Sequence, residues 1–517
     1  MTPGPGRPSR SLWRLAMVAC AATAALIAAP ANGPLTATPW LVRVYDQILN
    51  ASFDEAAASI ASCAAPSEAC LVLEATRLGW AILLDPYNRS RDARFSAAVN
   101  TAIQASEAWA RREPGRAEAW FYLGAAYGAR VQWNVIRVER LAAARDGKRI
   151  KTALERAVAI DPSFDDAYFG IGLYQYYADI APRVLKLLRW VLMLPGGDKA
   201  EGLQQMLRTR DRGQVLRSEA DYQLHVIYLW YERDYQKALS LLRNLERAHP
   251  RNPHFPQLVG EVYDIYFHDP TASRDAYAAL LGRARQGAVN LPRFAEVQAR
   301  LGLAKQLEAL AESDAALTHA QAVVAMRPDA PYAALAQAQF LAGEAQARLG
   351  HRDEAMTALR AALAAVPADD ALDLRRRIQA AIERRVDARA AEAYRSSIEG
   401  WRAFERGATE DGLAALTRAV TLTPDDPVAR YRLAHVLAAA GRRDAAFTEY
   451  DRVTAVTSNA RTAPVHFARA CVESAAIAES RGDRARALAL YRRASWVFGA
   501  ASATKEAARD GIARLTR

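Results

Sequence analysis

Apolar positions along this chain fall at helical intervals, and no run alternates convincingly with the two-residue period of a strand. The helical pattern itself repeats, with a period of roughly 34 residues. Its clearest copy is "LAGEAQARLGHRDEAMTALRAALAAVPAD", in which Gly343 is followed by Gly350, Ala355 and Ala362 and closed by Pro367. The spacing recurs at Gly400, Gly407, Ala419 and Pro424, at Ala434, Gly441, Ala446 and Tyr450, and at Gly482, Ala487, Tyr491 and Ala494. Upstream, Tyr222, Tyr235, Ala238 and Pro250 follow it. So do Trp120, Leu123, Gly124 and Tyr127, in a repeat that ends at Ala157 and Pro162 after an insertion of about fourteen residues.

These residue types recur for physical reasons. Two helices of one hairpin approach closely only where small side chains face each other, the place of Gly124, Gly343, Ala355 and Ala362. Large residues such as Trp120, Tyr127, Tyr235 and Tyr450 are expected to fill the space between successive hairpins. Glycine at the turn permits positive φ, and proline after the second helix stops it. The pattern resembles the tetratricopeptide repeat family over most of Phe53 to Leu515. That resemblance implies an all-α fold, an α-α superhelix or solenoid of stacked hairpins.

The repeats divide into two regimes. Residues 36–291 hold longer, irregular repeats rich in Trp and Tyr, whereas 292–517 are Ala-rich and nearer the expected length. A charged helix around "DLRRRIQAAIERRVDARAAEAY" stretches the spacing from Pro367 to Pro424. No long Gly, Ser or Pro linker separates the halves, so one continuous solenoid is expected.

An apolar helical insertion at 181–197 breaks the first regime. "AYFGIGLYQYY" opens like a repeat, but Pro182 starts a further helix, Pro195-Gly196-Gly197 ends it, and Asp198 is placed to cap the helix that begins at Lys199. On a helical wheel Arg183, Lys186 and Arg189 share an arc of about 120° with Trp190, leaving Val184–Leu194 apolar nearly all round. Such a helix either plugs the inside of the solenoid with its basic residues reaching water, or forms a surface for lipid or an apolar ligand. In the second case Tyr174, Tyr176, Tyr177 and Trp190 meet the apolar material, and Arg183, Lys186 and Arg189 meet anionic groups. The order Gly-x-Gly-x-Tyr, an apolar helix with "VLKLL", Gly-Asp-Lys and a Gly-Leu pair is similar, over 168–207, to a segment of the eukaryotic inclusion-body-clearance tetratricopeptide family. That similarity implies a shared structural insertion that handles apolar material.

The composition is helix-forming: half the residues are apolar, and there are only 27 Gly and 23 Pro in 517. The N-terminus has a basic leader ending at Arg14, an apolar stretch from Leu15 to Ala29, and small residues at Ala29-Pro30-Ala31. Residues 1–31 therefore read as a secretory signal cleaved after Ala31, which places the protein outside the cytoplasm, in a periplasmic or extracytoplasmic space. The alternative is an uncleaved anchor in the membrane, although about fifteen apolar residues fall short of a comfortable span. In an oxidising compartment Cys63 and Cys70 either form a disulfide across the break at Pro66-Ser67 or remain two buried thiols; Cys471 reads as a small core residue. The net charge of +11 is scattered, without the like-charge tail that grips nucleic acid.

Chemistry is sparse. The eight histidines are spread singly, no H-E-x-x-H or metal-spaced Cys/Asp cluster occurs, and no nucleophile elbow, phosphate loop or dinucleotide fingerprint appears. The sequence thus gives no reason to expect an enzyme, a cofactor or a metal. It points to an exported scaffold that binds a protein or peptide on its concave face, with a membrane surface as the second candidate partner and no nucleic acid. Groove contacts are expected on first helices of the N-terminal half, at Trp120, Tyr127, Tyr168 and Tyr222.

Overall fold

The computed structural model describes residues 34–181 and 196–517, and every regular element among them is helical. The 1–31 leader and the stretch holding Arg183, Lys186, Arg189 and Trp190 lie outside the described residues. Packing divides the chain into two compact units. The first is Met1–Tyr45, Asp54–Gly79 and Arg94–Ala220; the second is Asp46–Phe53, Trp80–Ala93 and Asp221–Arg517. This division follows contacts and not repeat character, so it falls at 220/221 whereas the residue pattern changes near 291.

Both units are built from antiparallel helix pairs. In the first, Ala117–Ile136 pairs with Arg140–Ile160, and Tyr168–Ile180 with Lys199–Arg212. In the second, the pairs include His254–Ile265 with Pro270–Arg285, Pro292–Ala309 with Ser313–Met326, and Ala334–Arg348 with Arg352–Ala364. Ala388–Glu405 with Thr409–Leu422, Pro427–Ala439 with Arg443–Ala455, and Pro464–Ser480 with Arg484–Ser495 continue the series, and Ser502–Thr516 follows. The charged stretch at 373–394 is not the single helix its pattern suggests. Arg384 adopts an extended backbone (φ −68°, ψ 126°) that ends Leu374–Glu383, and the Asp387 carboxylate accepts from the N–H groups of Arg389 and Ala390 to start the next helix.

Small residues set the pairs as their spacing predicts. A Cβ on Gly343 would sit 2.7 Å from Leu359 Cγ, and one on Gly400 would sit 2.7 Å from Leu416 Cγ, so only glycine admits that approach. The turn between paired helices is one recurring device. Val138, Arg233, His268, Ala311, Gly350, Gly407, Gly441 and Gly482 each lie two residues before the second helix, and all have positive φ, from 52° to 85°. The next N–H then donates to a carbonyl five residues back in six of the turns, as from His351 to Gln346 at 2.9 Å and from Asp483 to Ala478 at 3.0 Å, and six residues back in the other two, from Asp234 to Tyr228 and from Asp269 to Tyr263, satisfying an orphan carbonyl of the first helix.

The large aromatics divide in role. Tyr450 is fully buried with its hydroxyl on Glu473, Tyr235 meets Tyr266 of the next pair (ring centroids 5.3 Å apart), and Tyr127 donates to Glu107 of the preceding helix at 2.5 Å. Trp120, expected between hairpins, packs instead within its own. Its Nε1 donates to Pro114 O at 2.9 Å, and the Arg156 guanidinium lies 5.7 Å above the ring.

The second unit winds back on itself. Arg402 donates to Asp314 at 2.8 Å and to Glu312 at 2.9 Å, and the buried Arg432 donates to Ala311 O at 2.8 Å. Farther along, Ser502 N donates to Asp269 Oδ2 at 2.6 Å, while the Phe498 ring rests 4.3 Å from that of His268. The turns of early hairpins are thereby tied to helices much later in the chain.

Candidate functional site: a polar cleft in the second unit

Successive first helices of the second unit present the same face to one cleft of about 1450 Å³. Helical spacing determines which side chains reach it: Gln257, Glu261 and Asp264 on one helix, Gln298 and Lys305 on the next, and Gln337 and Glu344 on the third. Tyr277 lies beneath the floor, where a Cβ on Gly260 would fall 2.9 Å and one on Gly302 2.6 Å from its ring. Glycine at these two places is what lets that ring sit between the helices.

Charges in the cleft form a ladder. Lys305 pairs with Asp264, Arg348 with Glu308 at 2.9 Å, and Arg384 with Glu344 at 3.4 Å. Each base comes from the next first helix or just before it, 41, 40 and 40 residues after its acid. Partly exposed pairs of this kind add little stability; they fix side-chain positions and cancel charge. The remaining acids mostly have other work: Asp387 and Asp426 cap helices, and Asp85 accepts from Tyr332 N at 2.9 Å.

Glu261 is different. Its partner is neutral, Gln257 Nε2 at 3.0 Å, and it has no ion pair among the described residues. Burial pushes its carboxyl, and that of Glu308, above the usual range, with Lys305 and Arg348 respectively opposing the shift. Gln298 is only 8 % exposed, and its Oε1 has no donor; the same holds for Gln257 Oε1 and Glu308 Oε1. At one end of the cleft the His254 imidazole, 6 % exposed, is pushed down to about 4 by burial and is neutral.

The residues singled out from sequence are distributed as follows. Trp120, Tyr127 and Tyr168 belong to the first unit. Tyr127 is buried, with Arg130 and Arg149 each 5.3 Å from its ring, so it is not open to a groove; burial and Glu107 push its hydroxyl up to about 12. Tyr168 is half-buried under the Arg208 guanidinium at 3.7 Å. Tyr222 belongs to the second unit and reaches the cleft, but it is mostly buried, packed edge-on against Trp80 with centroids 5.0 Å apart. Tyr174 and Tyr177 are half-buried, whereas Tyr176 is fully buried, edge-on to Tyr177 at 5.5 Å, and is not available to lipid. Cys63 and Cys70 are joined in a disulfide with Cα atoms 6.0 Å apart. Cys471 is a buried thiol pushed up to about 12 by burial.

Sequence reading missed the polar face of the cleft. Its signal was present in "FAEVQARLGLAKQLEAL", where Gln298 and Lys305 stand seven residues apart on an otherwise Ala- and Leu-rich helix, but scattered polar residues usually mark a solvated face. Among the described residues no three His, Cys, Asp or Glu side chains are grouped to hold a metal, and no helix is long and apolar enough to cross a membrane.

The tetratricopeptide repeat family model matches residues 403–463. No curated protein matches the chain. Among solved structures, the tetratricopeptide domain of P58(IPK) is similar at 12 % identity, over 86 % of this chain and 97 % of that one, with a TM-score of 0.22. The protective antigen c5321 of uropathogenic Escherichia coli strains, described as displaying an SLR fold, is similar at 14 % identity, over 80 % and 94 %, with a TM-score of 0.26. At such scores neither superposes on this chain as a whole. The matched segment begins at the end of Ala388–Glu405 and takes in Thr409–Leu422, Pro427–Ala439 and Arg443–Ala455, and the same paired helices and turn recur on either side of it, so the chain is an all-α array of helix pairs that is similar to the tetratricopeptide repeat family over 403–463.

Proposed function

We propose that the protein is an exported scaffold that holds a segment of a protein partner in the cleft of its second unit. The observation that carries this reading is the alignment of polar faces from successive first helices on one recess, with buried acceptor atoms left unengaged. A peptide supplies backbone and side-chain donors along its length, and a rigid recess of this kind binds it without a large ordering penalty in the scaffold. Export is supported by the leader pattern and by the disulfide between Cys63 and Cys70. The burial of Tyr176 weighs against the hairpin at 174–194 as a lipid surface.

A photo-crosslinking residue placed at Leu341, which lines the cleft, and at Arg360, exposed on the second helix of the same pair, tests the reading in cells. A discrete crosslinked protein from position 341 and none from position 360 is the expected result. Equal labelling at both positions, or none at either, would refute it.

A further inference from the structure

We infer that the occupant of the cleft carries a cationic side chain, an ammonium or guanidinium, seated against Glu261. This deepens the function proposed above and rests on it. The charge ladder supplies the first argument. Asp264, Glu308 and Glu344 each have a cation, and Asp85, Asp387 and Asp426 each accept from backbone N–H groups. Glu261 has only the amide of Gln257. A recessed carboxylate with a neutral partner is costly to hold ionised, and a cation arriving through the cleft relieves that cost.

The second argument does not depend on charge. Gln298, more than nine-tenths buried, lines the same recess and keeps a buried Oε1 without a donor, and Gln257 Oε1 beside Glu261 also lacks one. Buried polar atoms in folded proteins are almost always satisfied, so amide acceptors without donors mark the place of an absent donor. An ammonium offers three N–H groups and a guanidinium five, with nothing to accept; either satisfies carboxylate and amide oxygens together. Of the bases lining the cleft, Lys305, Arg348 and Arg384 are already engaged with acids and Arg377 lies over the Phe340 ring at 5.0 Å, which leaves Arg385 for an anion. Leu258 and Leu301 line the recess and give an apolar wall for the methylene stem of Lys or Arg.

The test uses three fluorescent nonapeptide pools, randomised over Ala, Ser and Leu, with the central residue fixed as Arg, as citrulline or as Glu. Citrulline keeps the shape of Arg and removes its charge. Binding to the full-length protein is read by polarisation, beside Glu261→Gln and Gln298→Met, with melting curves to confirm folding. The Arg pool is expected to bind the wild type ten- to a hundredfold more tightly than the citrulline pool, on the order of one charge-assisted contact. Glu261→Gln should erase that preference, and Gln298→Met should weaken binding of the Arg pool. Equal binding of the Arg and citrulline pools by the wild type overturns the cationic anchor while leaving the peptide reading standing. No binding of any pool overturns both. The wild-type comparison decides the matter even if a variant fails to fold.

Discussion

At the residue scale, the turn between paired helices isolates one variable. Eight turns share a left-handed residue, and only Gly350, Gly407, Gly441 and Gly482 are residues that adopt it freely. Val138 holds φ at 64° on a β-branched side chain that is 66 % exposed, so its strain is offset by little packing. The left-handed region costs a non-glycine residue about 1–2 kcal/mol, and glycine returns about 0.5–1 kcal/mol of that as extra unfolded-state freedom. Val138→Gly is therefore expected to stabilise the first unit by about 1 kcal/mol, and Gly441→Val, with open space around its Cα, to destabilise the second by about 1–2 kcal/mol. Urea midpoints of both variants check the pair; shifts in the same direction would refute the argument. The same turn explains where the repeat was legible. Spacing is plain from Gly343 onward because glycine marks each turn, and it fades upstream because Val138, Arg233, His268 and Ala311 hold the same left-handed conformation without glycine to mark it.

At the element scale, the Gly-x-Gly-x-Tyr and Gly-Leu signature of the 168–207 segment acquires a packing reason. A Cβ on Gly172 would meet Gly202 O at 2.7 Å, and one on Gly202 would meet both Gly172 O and Tyr176 N at 2.7 Å, so two backbones touch where Tyr168–Ile180 crosses Lys199–Arg212. Backbone has no rotamer with which to yield. Gly202→Ala should destabilise the pair by about 1–3 kcal/mol and speed amide exchange in Tyr168–Ile180. Gly128→Ala, in mid-helix with nothing near its Cβ, should instead stabilise by about 0.5–1 kcal/mol. Equal effects of the two on thermal unfolding would show that the crossing does not depend on contact. The motif was visible in the sequence, but periodicity could not tell a ligand surface from a helix crossing. The Asp198 cap was legible, and its side chain does accept from Glu201 N at 3.0 Å, because a cap is decided by residues adjacent in sequence. The cleft was not, since it joins side chains on helices some forty residues apart.

At the scale of the whole molecule, the eight histidines are unevenly placed: all of them lie in the second unit. Sequence showed them as scattered singles, and only folding reveals how many are entombed. Burial pushes His225 down to about 3, His254 to about 4, and His466 well below the usual imidazole range. These rings stay neutral in the fold, whereas in the unfolded chain they take up a proton as the pH falls through about 6.5. Between that pH and their folded values the unfolded state binds more protons, so stability declines as pH falls across this window and levels off below it. Glu261 and Glu308, raised by burial, bind protons more readily in the fold and work the other way. Glu473, held low by His435 and by the Tyr450 and Tyr431 hydroxyls against its own burial, gives up its contribution only in the carboxylate range. A loss of stability between pH 6.5 and 5 has the sign of the histidines and is opposed by the two raised carboxyls; the histidine part is on the order of a few kcal/mol in all. Because the first unit has none, peptide-resolved hydrogen exchange at pH 5.2 should show the second unit opening more readily than at pH 7.2 relative to the first, after correction for the intrinsic rate. His254→Gln should recover part of the loss. Parallel changes in the two units, or an unaltered urea midpoint over this range, would mean that the buried rings do not govern acid stability.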